Sequence, residues 1–235
     1  MLALVALVVV SHFSRLGDLP LLGEEGRRAR SAINMIESDD WVVVTNQGLA
    51  FPDVRGTVKS TAWDMNTVQD RIAAGRRLKS LFASGGSVAL KKVMFLELGG
   101  FLSVYKPFYS EDMDLCTRAW MRGWQTLLEP RSKVVHDHVG TIKRHFHAKK
   151  IRIIRLRNRH YYTWLYCSRR QLLLPHAPWT ILRLFLRLLR LDVTLPIALI
   201  ISLAHVKPIM VLRSQILQQQ PFKPLEQILK EIESE

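Results

Sequence analysis

The chain has 235 residues, 48% hydrophobic and 23% charged, with 34 Lys and Arg against 20 Asp and Glu and a net charge of +14. That length and apolar share exclude intrinsic disorder as a global description and leave room for a real core. The two cysteines, Cys116 and Cys167, exclude a disulfide-rich scaffold and an all-cysteine zinc site, and they fit a reducing, cytoplasmic compartment.

The N-terminal run from Leu2 to Val10 is apolar throughout, but it is far shorter than the ~20 residues a membrane-crossing helix needs. It has no basic region before it and no Ala-x-Ala cleavage site, so it reads as a buried strand rather than a signal peptide. Trp41-Val42-Val43-Val44-Thr45 reads as a strand from its β-branched content, followed by turns at Asn46-Gln47-Gly48 and Phe51-Pro52-Asp53. The spacing of Val68, Ile72 and Leu78 predicts a helix over 64–82, broken by Ala83-Ser84-Gly85-Gly86-Ser87. Val88-Ala89-Leu90 is a short buried strand, and Lys91 to Leu98 a short helix closed by Gly99-Gly100. After an aromatic and proline-rich loop, a helix starts at Ser110 and stops at Gly123. Strands follow at Gln125-Thr126-Leu127-Leu128 and Lys133-Val134-Val135, and the pattern is helical from Ile142 to the end. The order is α/β through about 140 and all-α afterwards.

Charge is concentrated in the second half. Lys143 to Arg190 holds thirteen Lys or Arg and no Asp or Glu, a block suited to phosphate. Within it, Arg183, Arg187 and Arg190 share one helical face, with Leu182, Phe185, Leu186 and Leu189 on the other. That is the pattern of a basic amphipathic helix in a headgroup interface, with Arg183, Arg187 and Arg190 meeting anionic lipid. Val193 to Ala204 continues apolar but is too short to span, with Pro196 near its start and Lys207-Pro208 beyond it.

The densest group of chemically able residues is Phe108-Tyr109-Ser110-Glu111-Asp112-Met113-Asp114-Leu115. Ser110 is a good helix cap, and carboxylates in a first turn complement the positive helix end. Counted from Asp112, residues Leu115, Cys116, Ala119, Trp120 and Gly123 recur at helical spacing. This places Asp112 at the rim of the inward face, with Glu111 and Asp114 turned off it. Beside Tyr109 and Phe108, such a carboxylate can meet a ligand in a cleft and accept a proton from a hydroxyl. Plain helix capping explains the same acids.

Five segments occur in a fixed order: Ala83 to Ser87, Leu98-Gly99-Gly100-Phe101, Tyr105 to Leu115, Arg118 to Trp124, and Glu129-Pro130-Arg131-Ser132-Lys133-Val134-Val135-His136. Together they resemble the second half of family 2 glycosyltransferases, most closely the bacterial rhamnosyltransferase-like members that build cell-surface polysaccharides. The resemblance covers about residues 80 to 165. It implies a GT-A fold and inverting transfer from a nucleotide-sugar donor to a lipid-linked or polysaccharide acceptor. It further implies that Asp112, paired with Glu111, is the general base and that a divalent cation, Mg²⁺ or Mn²⁺, sits on the diphosphate near His136. Gly85 and Gly86, with Ser87 beside them, match a loop lining the substrate cleft, and Tyr109 and Trp124 join the substrate-binding positions.

Residues 1–80 show no Asp-x-Asp donor motif; Asp39-Asp40 is merely an adjacent pair. The expectation is therefore a partial GT-A domain over 1–140, its donor-binding half largely missing. A basic, helical, membrane-associating region over 141–235 would follow, peripheral on the cytoplasmic face of the membrane. The alternative is a truncated, non-catalytic remnant that binds a membrane or a partner. His136, His138, His145 and His147 form two His-x-His pairs, but Lys143 and Arg144 between them argue against a closed zinc site. The aromatics Tyr161, Tyr162, Trp164 and Tyr166 interleave with a basic segment, yet no nucleic-acid fold signature accompanies them, and no nucleic-acid partner is expected.

Overall fold

The computed structural model describes residues 88–128, 145–219 and 223–233 continuously, with short stretches between 41 and 83 and residue 142. The expected N-terminal strand at Leu2 to Val10, the turn at Asn46 to Gly48 and the strand at Lys133 to Val135 lie outside the described residues.

Among the described residues seven helices dominate: α1 (Lys92–Glu97), α2 (Glu111–Met121), α3 (Ala148–Tyr166), α4 (Arg169–Leu189), α5 (Thr194–Ala204), α6 (Val206–Gln218) and α7 (Leu225–Glu233). The expected α/β GT-A domain is thereby overturned. The strands are only two to four residues long: β1 (Trp41–Val43), β2 (Leu49–Pro52), β3 (Val58–Thr61), β4 (Leu78–Lys79), β5 (Val88–Ala89) and β6 (Thr126–Leu128). β1 runs parallel to β6 and antiparallel to β5, β4 is antiparallel to β6, and β2 pairs with β3 alone. Ladders this short are an edge to a helical body rather than a layer of their own. Two local expectations also change. Leu78 leaves the helical pattern to pair with Leu128, and Phe51-Pro52 belongs to β2 instead of a turn.

α1 and α2 form where the sequence punctuates them. Gly99 and Gly100 take φ of +74° and +67° to close α1, and a Cβ on Gly100 would press on the Phe95 ring at 3.2 Å. α2 is central and buried on every side from Asp114 to Met121. Its Trp120 donates to the Ser80 carbonyl (2.8 Å), fastening it to β4. Trp120 and Met121 meet Tyr161, Tyr162 and Leu165 of α3, Ile209 and Ile216 of α6, and Ile228 and Ile232 of α7. This core draws on residues both before and after position 140. A second cluster sets Leu115, Cys116 and Ala119 against Val88, Leu90 and Leu98, and a third sets Leu156 of α3 against Leu195 and Ala198 of α5.

α4 contains a π turn at Leu172–His176, where Pro175 has no N–H to offer the helical ladder. α5 and α6 meet at a 63° bend.

Candidate functional site

Asp114, one turn into α2, is fully buried. Its carboxylate accepts from Arg118 Nε (2.8 Å) and from the hydroxyls of Tyr105 (3.1 Å) and Tyr166 (2.6 Å). Burial pushes the Asp114 carboxyl up from its ordinary value, against the pull of Arg118 and the two tyrosines. Arg118 in turn donates to the carbonyls of Leu98 (2.5 Å) and Gly100 (2.7 Å), so one ion pair joins the α1 turn, α2 and α3. The spacing count had turned Asp114 away from the inward face. In fact α2 is enclosed all round, and Asp114 is its most deeply tied acid.

The loop ahead of α2 is held from α3. Asn158 Nδ2 lies 2.8–2.9 Å from the carbonyls of Tyr105, Phe108 and Tyr109, and Arg157 donates to Lys106 O. Tyr109 and Ser110 both take a φ of 74°, a left-handed conformation that non-glycine residues adopt only when their surroundings impose it. The Arg155 guanidinium lies over the Tyr109 ring (4.3 Å), and Phe108 is packed edge-on between Tyr109 and Phe146. Two consecutive strained residues fixed this thoroughly, immediately before two acids, mark the head of α2 as the candidate site. Ser110 does not cap α2 with its side chain as expected; instead Asp112 Oδ1 accepts from the Met113 N–H (2.8 Å).

Glu111 and Asp112 therefore sit side by side on an immobilised backbone, both half-buried. Burial raises the Glu111 carboxyl to about 7, with Asp112 and Asp114 adding to the rise, and its buried Oε2 has no hydrogen-bond partner among the described residues. Near neutrality one acid of the pair can hold a proton, the condition for general acid–base work.

Of the other expected site residues, Tyr109 joins this group. Trp124 does not: it follows α2 at the opposite end, half-buried, with Arg122 over its ring (5.7 Å). Eleven helical residues separate the two ends, roughly 16 Å. Gly85, Gly86, Ser87 and His136 lie outside the described residues. Among the described residues no group of three or more His, Cys, Asp or Glu could hold a metal ion, so the implied divalent cation finds no ligand set there. Both thiols are buried, and burial pushes Cys116 up to about 12 and Cys167 to about 11, which removes them as nucleophiles at neutral pH.

None of Asn158, Arg155 and Arg118 was assigned a site role from the sequence, although Arg118 opens one of the five matched segments. Asn158 carried the one usable signal. It is the single amide inside a run of arginines, and it precedes Tyr161, Tyr162 and Leu165 at helical spacing, on the inward side.

A second surface lies on α4, where Arg190 is exposed. Arg183 and Arg187 are only partly exposed: Arg187 (19% exposed) pairs with Asp192, which also binds Arg152 (3.1 Å). The apolar side points outward, with Ile181 67%, Phe185 59% and Leu189 65% exposed. Only 6% of the apolar stretch in α4 is buried, so it is not a core helix. Ile200 and Leu203 of α5 and Met210 and Val211 of α6 are also exposed.

No family model matches the chain, and no curated protein matches it.

Proposed function

We propose that the chain acts in glycosyl transfer at a membrane surface, with Asp112 as the base toward a hydroxyl acceptor presented at the bilayer. The observation that carries this reading is the Asn158 clamp. One amide from the basic helix α3 holds the three carbonyls that fix the strained approach to Glu111 and Asp112. Asp112 takes the proton of the acceptor hydroxyl while that oxygen bonds to the anomeric carbon. The bond to the nucleotide's diphosphate oxygen breaks in the same step, with inversion. Glu111, held near neutrality by burial, buffers the proton beside it. The resemblance of Tyr105 to Leu115 to family 2 glycosyltransferases supplies the reaction class.

Calorimetric titration of the full chain with UDP, dTDP and GDP, each with Mg²⁺ or Mn²⁺, tests the reading. Saturable binding of one nucleotide is the expected result and names the donor's base. Heats of dilution for all three would overturn it. A second reading then stands on its own observation. The outward apolar side of α4 favours a non-catalytic module that docks peripherally on an anionic membrane, and docking needs no nucleotide.

A further inference from the structure

The apolar exposure on α4 does not stop at its end. Leu191, in the α4–α5 junction, is 89% exposed, and its φ of 55° is one that a leucine adopts only where the chain around it imposes it. α5 and α6 repeat the pattern around their 63° bend: Leu203 precedes it, Val206 and Met210 follow it, and all three are exposed. The inner sides of the same helices are occupied. Leu184 of α4 and Leu195 and Ala198 of α5 pack on Leu156 of α3, and Ile209 and Ile216 of α6 join the core around α2. Each of the three helices therefore has one side on the protein and an apolar side that no described residue covers. Exposed apolar side chains gathered on consecutive helices, unlike single surface leucines, mark a contact surface.

Charge decides what that surface meets. From Lys143 to Gln219 the chain carries fifteen Lys and Arg and a single acid, Asp192. Asp192 is already paired with Arg187 and Arg152. Arg170, Arg190 and Lys207 are exposed, close along the chain to the exposed Leu173, Leu189 and Val206. A second copy of the chain would bring the same cations against these, and like charges across a shared interface repel. An anionic bilayer supplies what both features need, phosphates for the cations and hydrocarbon for the apolar side chains. α4 is long and apolar enough to cross such a bilayer. Crossing would put lipid around the side that carries Arg183 and Arg187 and would draw Leu184 away from α3. Lying along the interface keeps the Arg187–Asp192 pair and the packing on α3 intact.

We propose that α4, α5 and α6 form a one-sided membrane anchor. Their outward apolar side chains sit below the headgroups of an anionic bilayer, with Arg170, Arg190 and Lys207 at the level of the phosphates and no helix crossing. The proposal rests on the membrane-surface reading above and deepens it, because the attachment is made by hydrocarbon as well as by charge. It does not depend on whether the chain transfers sugars. The distinction has a physical consequence. Salt screens an attachment made by exposed charges, whereas buried apolar side chains hold as firmly or more firmly in concentrated salt.

The test uses the full chain on phosphatidylcholine vesicles doped with phosphatidylglycerol. The unmodified chain is floated, then washed with concentrated salt and with alkaline carbonate. In parallel, Phe185→Cys and Met210→Cys are labelled with a polarity-sensitive fluorophore, selectively because Cys116 and Cys167 are buried. The labelled chains are then bound to vesicles whose lipids are brominated along the acyl chain. The expected result is retention through both washes, with fluorescence at both positions quenched at least about twofold. Flotation that salt reverses, with no quenching from the acyl chains, would overturn the anchor and leave the membrane-surface reading standing. No flotation at all would overturn both, and a dimer in light scattering would then name a second copy as the occupant. Nucleotide titration is a separate readout, so failure of the anchor does not decide glycosyl transfer. The wash arm needs only the unmodified chain, so misfolding of a labelled variant cannot conceal a negative result.

Discussion

Glu111 is the acid whose surroundings differ most from those of an ordinary surface carboxylate. Its burial lifts the folded value from 4.5 to about 7, while the unfolded chain keeps the ordinary value. The sign follows directly: the unfolded state loses its proton first as pH rises. The contribution of Glu111 to stability is whole below pH 4.5 and is lost as pH climbs through 7. Allowing for the partial exposure of the group, the loss is about 1–2 kcal/mol. Glu111→Gln removes it, so urea denaturation of wild type and variant at pH 5, 6, 7 and 8 should show curves that separate steadily across that range. The difference between them isolates Glu111, because His160 and His176, both lowered by burial, tilt the two proteins alike in the opposite sense. Curves that stay parallel from pH 5 to 8 would show that Glu111 is not desolvated. Asp114 had no comparable legibility in the sequence. A count at helical spacing picks out a face only when the helix has one, and α2 is enclosed from Asp114 onward. What sets Asp114 apart is the arrival of Tyr166, far along the chain, which local sequence does not encode.

Elements were legible where the deciding interactions are local. Gly99-Gly100 and Gly123 end α1 and α2 through positive φ, and both ends fall where the glycines put them. The α/β expectation failed because β4, β5 and β6 are too short to outweigh seven helices. A similarly short apolar run reads as strand or buried helix with equal ease. α4 shows the limit most clearly. Periodicity divides a helix into two sides but does not say which side meets the protein. Arg187 turns inward because Asp192 waits at the α4–α5 junction, where it also accepts from the Thr194 N–H (3.0 Å). Arg183 and Arg187 are therefore only partly exposed, while Ile181, Phe185 and Leu189 face outward. Phe185→Ser combined with Leu189→Ser should reduce flotation on anionic vesicles at least fivefold while leaving the denaturation midpoint unchanged, since both side chains are exposed. Arg187→Gln should do the converse, lowering the midpoint and sparing flotation. Equal flotation by the double serine variant and wild type would remove the apolar side of α4 from membrane contact.

At the scale of the whole molecule, α3 is the shared strut. Leu156 and His160 face α5 and the inner side of α4, Tyr161, Tyr162 and Leu165 enter the core around α2, and Asn158 reaches the loop ahead of Glu111. α3 thus touches both the α4–α6 group and the loop ahead of the carboxylates. Asn158 is the narrowest link in that arrangement, because its one amide serves three carbonyls. Asn158→Ala leaves those carbonyls without their donor, a loss of about 1–3 kcal/mol. It also frees Tyr109 and Ser110 to relax from the left-handed region. Hydrogen exchange should then accelerate across Tyr105 to Ser110 while the amides of α2 near Trp120, anchored independently through Ser80, keep their protection. Flotation should be unchanged, since no outward residue of α4 is touched. Uniformly faster exchange through α2 would mean that Asn158 supports the core as a whole. Unaltered exchange in the loop would mean that Arg155, over the Tyr109 ring, and Phe146, against Phe108, hold the approach without it.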